Sequence, residues 1–161
     1  MGDLILLYAD FQRTTLSRCR SFLLCYNTPI PIITIFMKKK LLWLEDDALL
    51  GVVFSKALEN TEFELIHVRD GKEAIETLKQ IVPNIIMVDL MVPGEIDGFG
   101  VLEAISVDMR LKTIPKIVLS NLSNQSDIDR ARRLGVEVFI VKASSSLDLI
   151  IDQLRAQVDQ K

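Results

Sequence analysis

Polar groups stand where the apolar runs of this chain stop. Leu41-Leu42-Trp43-Leu44 is stopped by Glu45-Asp46-Asp47, Ile85-Ile86-Met87-Val88 by Asp89, Lys116-Ile117-Val118-Leu119 by Ser120, and Val136 to Val141 by Lys142. Singly, each has an ordinary explanation: Asp47 as a helix cap, Asp89 and Ser120 as turn residues, Lys142 as a solvated side chain. Brought to one place, they become the carboxylates of Glu45, Asp46 and Asp89 beside a hydroxyl and an ammonium. Crowded carboxylates repel and raise one another's proton affinity. A hard divalent cation relieves this, and Mg2+ favours carboxylate oxygens, a carbonyl and retained waters. A carboxylate beside such an ion can accept a phosphoryl group as an acyl phosphate. The metal and the lysine would neutralise charge on the transferring oxygens, and the hydroxyl would bond one of them.

The elements between these positions decide whether they meet. A 3.6-residue apolar period over Leu49, Leu50, Val53, Phe54, Ala57 and Leu58 predicts a helix after the first run. Phe63 to Val68 reads as a second strand and Gly71 to Gln80 as a second helix, ended before Pro83. Helices are expected over Phe99 to Val107, over Ser126 to Leu134 with Gly135 closing it, and over Leu147 to Val158. The chain therefore reads as five βα units, an α/β fold with a parallel sheet and helices on both faces. Continuous apolar runs suit parallel strands, which are buried on both sides. In such a sheet, ligands bind beyond the carboxyl ends of the strands. The polar groups that stop the runs all fall at that edge, while strand two ends in Val68-Arg69-Asp70-Gly71, an ordinary turn.

Composition narrows the chemistry. At 161 residues, 49% hydrophobic and 25% charged, the chain suits one globular domain. A net charge of −3 argues against a direct nucleic-acid partner. Two cysteines make neither a disulfide scaffold nor a four-cysteine zinc site. A single histidine, His67, excludes multi-histidine metal sites and leaves a Ser-His-Asp triad only one base. His67 lacks a helical histidine-kinase signature and is read as an ordinary residue at the end of strand two.

Residues 1–36 read differently, holding both cysteines, both tyrosines, Pro29 and Pro31 without a helical or strand period. The apolar stretch over 21–37 is too short to span a membrane comfortably and is broken by Asn27, Thr28, Pro29 and Pro31. No membrane partner is expected. Residues 1–36 are read as a disordered extension or as non-native upstream sequence, with 37–161 as the domain.

The motifs "LLWLEDD", "IIMVDLMVPGEIDGFGVLEAI", "IPKIVLSNLS" and "VFIVKA" occur in an order and at spacings that resemble the response-regulator receiver domains of two-component signalling. The resemblance covers 38–161. It implies a flavodoxin-like sheet of order 2-1-3-4-5 and a cytoplasmic, Mg2+-dependent phosphoprotein. It implies Asp89 as phosphoacceptor, and Glu45, Asp46, Asp89 and the Met91 backbone carbonyl as metal ligands. Ser120 and Lys142 would bind the phosphoryl group, with Ser120 and Phe139 as switch residues. The donor would be a phosphohistidine on a sensor histidine kinase or phosphotransfer protein. The output would run to a protein target through helix four, strand five and helix five, where Arg130, Arg132 and Arg133 stand as either a solvated face or a docking patch. A phosphorylation-dependent homodimer is compatible with this.

The sequence departs from the family pattern in three places. Glu95 and Ile96 stand where one residue is usual, Ala143 follows Lys142 where proline is usual, and Phe139 lacks a hydroxyl. The residues after Lys142 suffice for one helix, so a stand-alone receiver is expected, a phosphoacceptor with self-catalysed phosphotransfer and slow autodephosphorylation and not an enzyme. Two other readings compete. One is a degenerate receiver acting as a phosphorylation-independent interaction module. The other is a haloacid-dehalogenase-type phosphatase, whose Asp-x-Asp spacing Glu45-Asp46-Asp47 lacks. By the same resemblance Met91 and Leu122 flank the water approach to Asp89. Both are apolar, which implies a long-lived phosphoaspartate.

Overall fold

The computed structural model describes residues 38–159, and the expectation for 1–36 lies outside the described residues. Five strands form one parallel sheet: β1 Lys39–Leu44, β2 Phe63–Val68, β3 Ile85–Val88, β4 Lys116–Ser120 and β5 Val138–Val141. Five α-helices connect and follow them: α1 Ala48–Leu58, α2 Gly71–Gln80, α3 Gly98–Val107, α4 Gln125–Arg133 and α5 Leu147–Asp159. The strand order is β2-β1-β3-β4-β5, as the resemblance implies.

Successive strand residues face opposite sides of the sheet, and each side has its own core. Leu42, Leu44, Ile86, Val88 and Val118 pack with Ala74, Leu78, Phe99, Leu102 and Ala131 from α2, α3 and α4. Leu41, Trp43, Ile85, Met87, Ile117 and Leu119 pack with Phe54 and Leu58 of α1 and Ile150, Ile151 and Leu154 of α5. Burial on both faces explains why β1, β3 and β4 read as unbroken apolar runs. Each such side chain contributes about 1.5–3 kcal/mol on leaving water, so the central strands anchor the edge that carries the polar groups.

Helix starts follow the expected chemistry. The Asp47 carboxylate accepts the N–H groups of Leu49 and Leu50 at 2.8 and 3.1 Å, which caps α1. Asp70, Asp97 and Asn124 do the same for α2, α3 and α4.

Strand five is shorter than its apolar run, which begins at Val136. Gly135, at φ 84°, turns the chain out of α4. The N–H groups of Gly135 and Val136 then bond back to the carbonyls of Arg132 and Ala131. That is a Schellman cap, and it commits Val136 to the end of α4. Strand one starts earlier than its run, because Lys39 and Lys40 pair with Phe63 and Glu64.

Candidate functional site

β1 and β3 are neighbours in the middle of the sheet, with Leu44 opposite Val88. The residues just past each strand therefore meet. Glu45, Asp46 and Asp89 each offer a carboxylate oxygen, and these oxygens lie within 4.8 Å of one another. Glu45 and Asp89 are 1% and 4% exposed, so two of the charges sit almost out of water.

Lys142 offsets them. β5 ends at Val141 and a short 3₁₀ turn, Lys142–Ser144, begins at once. The Lys142 Nζ lies 2.5 Å from both Glu45 Oε2 and Asp89 Oδ2. The other Asp89 oxygen, Oδ1, accepts the Met91 N–H at 2.9 Å. Glu45 Oε2 is buried and receives no aligned hydrogen bond despite its ionic contact with Lys142. The Asp46 carboxylate has no hydrogen-bond or ion-pair partner among the described residues.

The electrostatics follow from burial. Loss of water pushes the Glu45 carboxyl above its ordinary range; Lys142 works against this and the charge of Asp89 adds to it. Burial acts to lower the Lys142 ammonium, but hydrogen bonding and attraction from Asp89 and Glu45 win and hold it above the ordinary lysine value. The ammonium is thus kept charged by the carboxylates it serves.

This donor set fits a hard divalent cation: three close carboxylate oxygens, with one Glu45 oxygen buried without an aligned donor among the described residues. Ser120 ends β4 fully buried, and its hydroxyl accepts the Leu122 N–H at 3.4 Å. It makes no hydrogen bond to Asp89 among the described residues. Phe139 is half-buried on β5 and packs against the α2–α3–α4 core. Asp46, Met91 and Leu122 line one open depression of about 650 Å3, together with Phe99 and Arg130.

Other features escaped the sequence reading. Gly98 opens α3, and a Cβ there would lie 2.1 Å from the Asp89 carbonyl oxygen, so only glycine lets this helix approach the end of β3. The signal was present: glycines in a helical turn cost about 1 kcal/mol relative to alanine and call for a packing reason. Arg130 is exposed, and it also has partners on a neighbouring helix. Its guanidinium lies 4.0 Å above the Phe99 ring and 2.8 Å from Glu103, stapling α4 to α3. Arg132 pairs loosely with Asp129 at 3.9 Å. In the longer loop after Asp89, Ile96 is partly buried and packs on the core. The His67 Nε2 lies 2.8 Å from the Glu45 carbonyl oxygen, a contact that the sequence did not show.

Residues 41–154 match the family described as "Response regulator receiver domain". The polar-differentiation response regulator DivK of Brucella ovis is 30% identical over 109 residues, 68% of this chain and 88% of DivK. The probable transcriptional regulator ycf27 of Porphyridium aerugineum is 32% identical over 112 residues, 70% of this chain, and this chain spans only 45% of that protein. The phosphorylated cyanobacterial phytochrome response regulator RcpA superposes with a TM-score of 0.65 at 34% identity, covering 74% of this chain and 90% of RcpA. The Mn(2+)-bound form of response regulator Rcp1 gives 0.63 at 31%, covering 70% and 87%. With its order β2-β1-β3-β4-β5 and acidic groups gathered beyond β1 and β3, this chain belongs to the response-regulator receiver domains of two-component signalling.

Proposed function

We propose that this chain accepts a phosphoryl group on Asp89 from the phosphohistidine of a sensor histidine kinase or phosphotransfer protein. The observation that carries the reading is the convergence of Glu45, Asp46 and Asp89 oxygens within 4.8 Å, with Lys142 bridging two of them. A bound Mg2+ would be held by Glu45, Asp46 and Asp89, with the Met91 carbonyl as a further ligand, and supplies charge neutralisation at the transferring oxygens.

An Asp89 carboxylate oxygen attacks phosphorus in line with the leaving nitrogen. The P–N bond breaks, its electron pair stays on the imidazole, and an acyl phosphate forms on Asp89. Lys142 neutralises a phosphoryl oxygen, and the Ser120 hydroxyl donates to another. These two groups and Phe139 then carry the change to α4, β5 and α5, where a protein target or a second phosphorylated copy docks. A cytoplasmic setting accompanies that partner set. Among the described residues no helix is long and apolar enough to cross a membrane.

The test is intact mass after treatment with acetyl phosphate, with and without Mg2+. Wild type gains one phosphoryl group in Mg2+ only, and Asp89→Asn gains none. Equal labelling of the variant overturns the assignment. A wild type that takes no phosphoryl group turns the reading to a phosphorylation-independent interaction module.

A further inference from the structure

We infer that His67 is a positioning residue for the acidic pair: it holds the Glu45 carbonyl and so sets where the Glu45 and Asp46 carboxylates stand. The inference rests on the reading of this pocket as a divalent-cation and phosphoryl site, and deepens it.

The β1–β2 ladder gives out at this point. The last register pair is Leu44 with Val68, and the last ladder bond is Glu45 N–H to the Val68 carbonyl at 3.0 Å. Beyond it the chain of β2 turns into α2, whose cap is Asp70. The Glu45 carbonyl instead meets the His67 Nε2 at 2.8 Å. A carbonyl oxygen can only accept, so this nitrogen carries the proton. A side chain thus extends the sheet by one hydrogen bond. The Glu45 carbonyl lies in the rigid peptide plane that leads to Asp46, so holding it fixes the direction in which Asp46 leaves the strand. Further along, the Arg69 Nη2 lies 3.4 Å from the Asp46 carbonyl oxygen and steadies the next peptide. The Asp46 carboxylate has no partner of its own among the described residues. Its position is therefore inherited from its backbone.

The imidazole is itself held from two sides. The Trp43 ring lies 5.4 Å away between centroids, tilted by 33°. On the other side is Gly51, where a Cβ would stand 2.3 Å from His67 Cε1 and 2.6 Å from Nδ1. Glycine is a poor choice for the middle of a helix, and α1 has one where the imidazole needs the room. This contact is independent of the hydrogen bond, and both place the same ring.

The test is the Mg2+ dissociation constant of the full chain by isothermal titration, with the metal-free melting temperature read separately. His67→Leu fills the space but cannot donate, and is expected to weaken Mg2+ binding about tenfold, a typical loss for a group that orients ligands. His67→Gln presents an amide N–H at a similar reach and is expected to stay within about twofold of wild type, because the donor survives. Gly51→Ala displaces the ring and also weakens binding, but adds nothing in the His67→Leu background. If His67→Leu does not fold, His67→Asn replaces it, since its shorter amide falls short of the carbonyl and must weaken binding likewise. Equal Mg2+ affinity in wild type and His67→Leu overturns the inference while leaving the site intact. Glutamine as weak as leucine overturns it too, by reducing His67 to a packing role. A wild type that binds no Mg2+ overturns the inference together with the reading of the pocket.

Discussion

Replacing Asp46 by alanine removes a half-buried carboxylate that faces Glu45 and Asp89 and has no partner of its own among the described residues. At a spacing of 4.8 Å, a like-charge pair repels by about 3.5 kcal/mol at an effective dielectric of 20 and about 0.9 kcal/mol in bulk water. Asp46 meets two such neighbours, and the ammonium of Lys142 cancels about one of them. The metal-free Asp46→Ala protein should therefore be more stable than wild type, by about 1–3 kcal/mol. For a domain of this size that raises the melting temperature by about 3–10 °C. Mg2+ reverses the order. At ten times its dissociation constant it stabilises wild type by about 1.4 kcal/mol by mass action, and the variant should lose most of that gain. The assay is thermal unfolding followed by circular dichroism, with and without Mg2+. Repeating the metal-free pair in about 1 M KCl, where the Debye length falls to about 3 Å, should shrink the difference if repulsion causes it. A variant less stable than wild type without metal, or an Mg2+ shift unaltered by the substitution, would refute the reasoning.

The raised Glu45 carboxyl gives a pH signature. Its folded state binds a proton that the unfolded chain has already lost, so its contribution to stability falls as pH rises above the ordinary glutamate value of 4.5. Metal-free Glu45→Gln should therefore gain on wild type between pH 4 and pH 7, read as the difference in melting temperature; a constant difference would count against it. The apolar Met91 and Leu122 beside the site should slow hydrolysis of phospho-Asp89, because neither orients an attacking water. Met91→Asn with Leu122→Glu should shorten its lifetime, roughly tenfold if water positioning is worth about 1.4 kcal/mol, measured as decay of phosphoprotein in Mg2+ after removal of the donor.

Much of the fold was legible because a parallel sheet buried on both faces leaves a strong local mark. The runs at β1, β3 and β4 have no exposed face to alternate with, so they stand out, and whatever ends them lies at the ligand edge. Strand order was a different matter. Spacing gives βα alternation, and only the family resemblance implied 2-1-3-4-5. What stayed hidden depends on contacts that no local pattern carries. Val136 is apolar and β-branched, yet its N–H closes α4, a competition settled by the Gly135 turn. The contacts of the exposed Arg130 stayed hidden because its partners, Phe99 and Glu103, lie on another helix. The hydrogen bond of His67 stayed hidden because its partner is a backbone carbonyl 22 residues away, which carries no sequence signal.

The charges in the pocket explain how one lysine could serve both a resting and a phosphorylated state. Glu45 and Asp89 share one ammonium, and that sharing keeps Lys142 protonated against the pull of burial. The same sharing leaves Glu45 Oε2 buried with attraction but without an aligned donor. The resting pocket is therefore under-neutralised, and its geometry is a compromise between two acids. On the proposed function, a cation held by the carboxylates removes their claim on Lys142. The ammonium is then free to follow negative charge to the phosphoryl oxygens on Asp89. Lys142 sits where β5 turns into the Lys142–Ser144 turn, so this movement begins on the strand that also carries Phe139. The packing of Phe139 against the α2–α3–α4 core then ties it to α4, which Arg130 staples to α3 through Phe99 and Glu103. On the proposed function, the route from the acidic site to the α4–β5–α5 face would thus run through one charge that changes partners and one aromatic side chain packed behind it.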